Sequence, residues 1–183
     1  PRGKGNNSTV KAYGDARIHL EFRFDPSDNP DWKGQLYGNS GIFLMSSYEI
    51  QVVNSFQNPT FADGTCGSIY GQHPPHVNAS RKPGEWQSYD IIMKAPVFST
   101  DGKVEEPLRV TAFHNGILIH DDAWVYGEVG GPYKKHGKRP LMIQDHKGTG
   151  VSFRNLWIVE DFPYGLNLPA FRNTFPKSSA SSI

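Results

Sequence analysis

Cys66 is the single cysteine in a chain of 183 residues, so no intramolecular disulfide can staple the fold. No run of about 18 or more apolar residues occurs, which excludes a membrane-spanning helix. The first residues also lack the apolar core of a signal peptide. Because the chain opens on Pro1 rather than Met, a processed or trimmed product is expected, with any targeting segment removed from view. An excess of one charge sign is missing too: 19 Lys and Arg face 18 Asp and Glu, a formal net charge of +1. That balance gives no broad electrostatic reason to bind nucleic acid or anionic membrane. The one basic cluster, Lys134, Lys135, His136, Lys138 and Arg139, reads as a solvated loop. There is no phosphate loop, dinucleotide fingerprint or Ser nucleophile elbow. Helical periodicity longer than a turn or two, internal repeats and domain linkers are absent as well.

What the chain has instead is turn formers and strand formers: 19 Gly, 14 Pro and 13% aromatics. This composition favours many short strands joined by turns. Ala16 to Asp25 sets Ile18, Leu20, Phe22 and Phe24 against Arg17, His19, Glu21 and Arg23, the alternation of a half-buried strand. Glu85 to Lys94 is a second such strand. Leu108 to His114, then Asn115-Gly116, then Ile117 to His120 reads as a hairpin with a tight turn. Leu141 to His146 and Val151 to Glu160 form two late strands around a glycine turn. Regular strands with turn signals imply an all-β fold, an antiparallel β-sandwich or jelly roll. The expected organisation is one domain over residues 1–171, followed by a disordered tail over 172–183, where RNTFPKSSASSI has no apolar period.

The segment Asn39 to Asn54, NSGIFLMSSYEIQVVN, carries the main chemical signal. Read as one strand, it places Ile42, Leu44, Tyr48, Ile50 and Val52 on one face and Phe43, Met45, Ser47, Glu49 and Gln51 on the other. The second face is either a binding groove or a solvated outer surface. Ordinary retaining glycoside hydrolysis needs two carboxylates about 5 Å apart. This strand offers Glu49, then the amides Gln51 and Asn54, and an amide can act neither as nucleophile nor as general acid. One Glu remains, as a base, a metal ligand or a hydrogen-bonding group. Gln144-Asp145-His146 is the second polar constellation, with Gln144 and His146 sharing a face. His146 near a Glu on a neighbouring strand would make a general-base pair or two ligands of a divalent metal ion. Arg154, mid-strand in Phe153-Arg154-Asn155, needs an anionic or carbonyl partner, either in a ligand or in a salt bridge holding two strands together. His73 and His76 have a spacing that could chelate. Cys66 has no base beside it in sequence and reads as an ordinary thiol. Trp32 and Tyr37 lie in a loop, as a core lid or a sugar-stacking surface.

Taken in order and spacing, NSGIFLMSSYEIQVVNS, GSIYG, PGEWQSYDI, FHNGILI and LMIQDHKGTGVSFRNLWI resemble the 3-keto-disaccharide hydrolase domain family, from about Tyr13 to Glu160. The resemblance implies a concanavalin A-like jelly roll. It sets Glu49, Gln51, Gln144, His146, Arg154 and Asn155 at motif positions, with Glu49, Gln51 and His146 lining a concave groove. Family members usually carry an extra N-terminal segment before the part that matches Thr9 onward, and Asn54 stands where an Asp is common in the family. The implied function is a bacterial, periplasmic or secreted sugar-processing hydrolase. It would act on 3-keto-glycosides by C2 proton abstraction, elimination and hydration, with a mono- or disaccharide substrate and one divalent metal ion as a candidate cofactor. The expected catalytic residues are Glu49 and His146, also the candidate metal ligands. The expected substrate contacts are Trp32, Gln51, Asn54, Tyr70, Gln144 and Arg154. The alternative is a non-catalytic, lectin-like carbohydrate-binding module.

Overall fold

The computed structural model describes residues 5–146 and 150–161. The tail expected over 172–183 lies outside the described residues. In chain order the strands are β1 (Asn7–Tyr13), β2 (Ala16–Phe24), β3 (Ser40–Leu44), β4 (Tyr48–Val52), β5 (Gln87–Lys94), β6 (Val97–Phe98), β7 (Val104–Glu106), β8 (Arg109–His114), β9 (Ile117–Trp124), β10 (Arg139–Ile143) and β11 (Val151–Glu160). No α-helix occurs among the described residues; Gly34–Leu36 and Ala62–Gly64 are short 3-10 turns. The strands form a four-stranded sheet in the order β1-β10-β3-β4, a five-stranded sheet in the order β11-β2-β5-β8-β9, and the small pair β6-β7. All pairings are antiparallel, and the chain is a jelly-roll sandwich, as its alternation predicts.

The two large sheets bury their inward-facing residues against each other. Ile18, Leu20, Phe22 and Phe24 of β2, with Tyr89, Ile91 and Met93 of β5, pack in one cluster with Ile42, Leu44, Tyr48, Ile50 and Val52 of β3 and β4. Each such side chain contributes roughly 1.5–3 kcal/mol by leaving water. The expected tight turn is present: Asn115 and Gly116 both take positive φ, 54° and 78°, the twist that joins adjacent antiparallel strands.

The segment 39–54 is two strands rather than one. Met45 and Ser46 adopt φ of 50° and 56°, and the hairpin closes with Ser46 N–H on Phe43 O (3.3 Å) and Ser47 N–H on Leu44 O (3.1 Å). Leu44 then pairs with Tyr48 and Phe43 with Glu49. The turn takes out three residues, so the even-numbered positions stay on the core side. Met45 does not follow the expected alternation: it is 3% exposed and belongs to the core. The reason is local, since a residue in the left-handed turn no longer obeys the two-residue period of a strand.

The outer edge of β4 is closed by an irregular segment. Gln51 N–H donates to Ser68 O and Gly67 N–H to Gln51 O, both at 2.9 Å, and Tyr70 N–H donates to Glu49 O at 3.1 Å. Ile69 enters the core. From the opposite sheet the Tyr89 hydroxyl donates to Gln51 O at 2.7 Å and lies 3.1 Å from Cys66 Sγ. Cys66, expected as an ordinary thiol, is free and buried, its pKa pushed up by burial. Tyr89→Phe deletes a hydroxyl between the sheets and should lower unfolding stability by about 1 kcal/mol. Urea titration checks this, and unchanged stability would show that the hydroxyl is not a structural link.

Candidate active site

The register of the four-stranded sheet orders its outward-facing side chains in rows. Glu49 pairs with Phe43, and Phe43 with Met142, so these three make one row. Gln51 pairs with Gly41, and Gln144 N–H donates to Gly41 O at 2.9 Å, so Gln51, Gly41 and Gln144 make the next. Gly41 has no side chain, and the Glu49 carboxyl leans into the space this leaves. A Cβ on Gly41 would sit 2.8 Å from Glu49 Cδ. The carboxyl is thereby set between two amide-bearing positions.

Glu49 is 5% exposed. Burial raises its pKa to about 7, and burial is the only cause acting on it. A desolvated carboxyl with no cation beside it resists ionisation, and its proton affinity is thereby matched to neutral pH.

Beside it Gln51 is fixed at both ends of its amide. Its Nε2 donates to Gln35 Oε1 at 3.0 Å, and its Oε1 accepts from Val52 N–H at 3.0 Å. Gln35 in turn donates to Thr60 Oγ1 (2.6 Å) and Gly64 O (2.7 Å), while Asn39 Nδ2 donates to Gln35 O at 2.8 Å. Gln51 therefore ties the 34–36 and 60–64 loops onto the sheet. Ser68, on the segment beside Gln51, is fully buried, and its Oγ has no hydrogen-bond partner. Tyr70 lies next to Glu49 and meets Phe61 edge-on at 6.1 Å between ring centroids.

The other expected site residues stand elsewhere. His146 is exposed and lies beyond the end of β10. Among the described residues no group of three or more His, Cys, Asp or Glu is gathered to hold a metal. Asn54 is buried and caps a turn, its Oδ1 accepting from Phe56 N–H at 3.2 Å. Trp32 packs on Tyr37 at 5.7 Å, near Gly150, where β2 ends and β11 begins. His73 Nε2 bonds Trp124 O at 2.8 Å, and His76 packs on His120.

Arg154 and Asn155 lie on the other sheet. β11 pairs with β2, where Arg154 Nε donates to Glu21 Oε2 at 2.6 Å and Asn155 Nδ2 to Glu21 Oε1 at 3.1 Å. Asn155 takes a φ of 50° at a register shift between Arg154 and Trp157, a bulge that lets both side chains reach one carboxylate. The Arg154 guanidinium sits 3.9 Å over the Trp86 ring. Arg154 is thus the strand-to-strand clamp, on the outward face of the five-stranded sheet, and the core separates it from Glu49.

The profile of the 3-keto-alpha-glucoside-1,2-lyase-like domain matches residues 1–159. The chain belongs to this family. Among solved structures it is similar to a protein assigned as a glycosyl hydrolase from Parabacteroides distasonis ATCC 8503, with 41% identity and a TM-score of 0.80 over 86% of this chain and 68% of that one. Two further proteins so assigned from the same organism share the fold. One has a TM-score of 0.55 and 19% identity over 85% of this chain and 76% of that one. The other has a TM-score of 0.53 and 19% identity over 87% of this chain and 88% of that one. No match was found among curated proteins. Against this 3-keto-alpha-glucoside-1,2-lyase-like domain, reading the sequence alone missed Gln35, Gly41 and Ser68. Gly41 carried a signal, a glycine inside an otherwise apolar strand, which marks close approach. Gln35 and Ser68 carried none, because their roles depend on loops folding back over the sheet.

Proposed function

We propose that the domain is a glycoside-cleaving enzyme acting on 3-keto-glycosides, with Glu49 as the base. The observation that carries this reading is one buried carboxyl, of pKa about 7, in a row structure whose other polar members are amides. A ketone at C3 makes the C2 proton acidic. Glu49 takes that proton, the electron pair forms the enolate, and the C1–O bond breaks as the Glu49 carboxyl returns the proton to the departing alcohol oxygen. Water then adds across the resulting enone, giving back a 3-keto sugar. This route needs one base, and the double-displacement route needs a second carboxylate that β4 lacks. Gln144, in the row next to Glu49, offers its amide to the developing negative charge. His146, at the far end of the same face, is assigned to outlying parts of the substrate.

Incubating the protein with 3-keto-glucosides of several linkages and reading products by mass tests the reading. Release of the aglycone with appearance of a 3-keto sugar supports it. Tight binding of the same compounds without any turnover would make the domain a carbohydrate-binding module instead. Gly41→Ala should displace the Glu49 carboxyl and lower turnover on the order of 10- to 100-fold with the fold retained. Wild-type kinetics in that variant would show that the carboxyl's seat over Gly41 is unimportant.

A further inference from the structure

Beside the Glu49 face lies a cleft of about 420 Å³ lined by Tyr70, Gln72, Tyr126, Glu128 and the glycines of the 127–131 loop. Its walls are fixed. Gln72 clamps the loop, its Nε2 donating to Gly127 O at 3.1 Å and its Oε1 accepting from Tyr126 N–H at 2.7 Å. Val129 N–H donates to Ser47 O at 2.9 Å, pinning the loop to the start of β4. Arg139 pairs with Glu128 at 3.2 Å and holds its carboxylate in place. Tyr70 belongs to both regions, because it lines this cleft while its N–H bonds the carbonyl of Glu49.

The lining has the chemistry of a sugar-ring seat. A pyranose presents an apolar C–H face and a rim of hydroxyls, so it needs a flat aromatic surface together with fixed acceptors. Tyr126 leaves 65% of its surface exposed although its backbone is clamped, and Glu128 supplies the acceptor. A Cβ on Gly130 or Gly131 would meet nothing within 4 Å, so this wall is low and admits a ring. The volume falls in the range of about 300–1,000 Å³ usual for small-ligand sites.

We propose that this cleft is a second saccharide subsite, holding the leaving-group sugar of a disaccharide whose keto ring lies at Glu49, with Tyr126 as stacking platform and Glu128 as hydroxyl acceptor. The assignment rests on the function proposed above. The test is an NMR titration of Glu49→Gln with a 3-keto-disaccharide and with the corresponding methyl 3-keto-glucoside, repeated with Tyr126→Ala and Tyr126→Phe added. Tyr126→Ala should weaken the disaccharide about fivefold or more relative to the methyl glycoside, and Tyr126→Phe should restore it, since the stacking face remains. Equal weakening of both ligands, or none, overturns the subsite. If Glu49→Gln itself turns the ligand over, product signals appear in the same spectra and the base assignment fails separately. The Tyr126 effect is then read as a rise in KM for the disaccharide over the methyl glycoside in the otherwise wild-type protein.

Discussion

Turnover of a 3-keto-glucoside should fall at least about a hundredfold when Glu49 is replaced by Gln, the usual scale for losing a general base. The amide keeps the shape of the carboxyl, so the seat over Gly41 stays filled and the sheet is undisturbed. It cannot accept the C2 proton. The same carboxyl should govern the pH profile of the wild type. Glu49 acts ionised, and with a pKa of about 7 its active fraction falls about tenfold for each pH unit below that value and levels off above it. Measuring kcat/KM between pH 5 and 9 checks both points. Full activity in Glu49→Gln, or a flat profile through neutrality, removes Glu49 from the chemistry.

The same substitution should make the protein more stable. The folded carboxyl keeps its proton up to about pH 7, against an ordinary value of 4.5, so between these limits the folded state binds more protons than the unfolded chain. Stability therefore declines as pH rises from about 4.5, and the decline is complete above about 7. A difference of this size corresponds to about 3 kcal/mol. Glu49→Gln escapes it. The variant should match the wild type at pH 4 and exceed it by a comparable amount at pH 8, measured by urea unfolding or calorimetry. Equal stability at pH 8 would mean that the carboxyl is solvated more than its 5% exposure implies. A carboxyl held where it resists ionisation carries a cost in fold stability that an activity-free variant recovers.

The sandwich was readable from alternation because β2 buries every second residue, and the Asn115-Gly116 turn declares itself through residues that tolerate positive φ. The Met45-Ser46 turn was not, since neither residue type signals a left-handed conformation. Glu49 and Gln144 could be picked out as polar groups on apolar strands. Their neighbours could not, because adjacency in a sheet depends on which strands pair. Arg154 shows the limit clearly. Its need for an acidic partner was legible, and a salt bridge was among the readings, but only the β11–β2 register names Glu21 and thereby moves Arg154 away from the groove. Gln51 shows another limit, because its two hydrogen bonds reach a loop with no periodicity at all.

β4 lies last in its sheet, yet Ser68, Gly67 and Tyr70 occupy the outward-facing amide of Gln51 and the carbonyls of Gln51 and Glu49. A strand so covered has no free backbone ladder to offer, and an extended polypeptide cannot dock there by strand addition. Whatever binds at Glu49 therefore does so without extending the sheet. That requirement turns the surface away from peptides and toward compact, hydroxyl-rich molecules, which carry their own donors and acceptors around a ring.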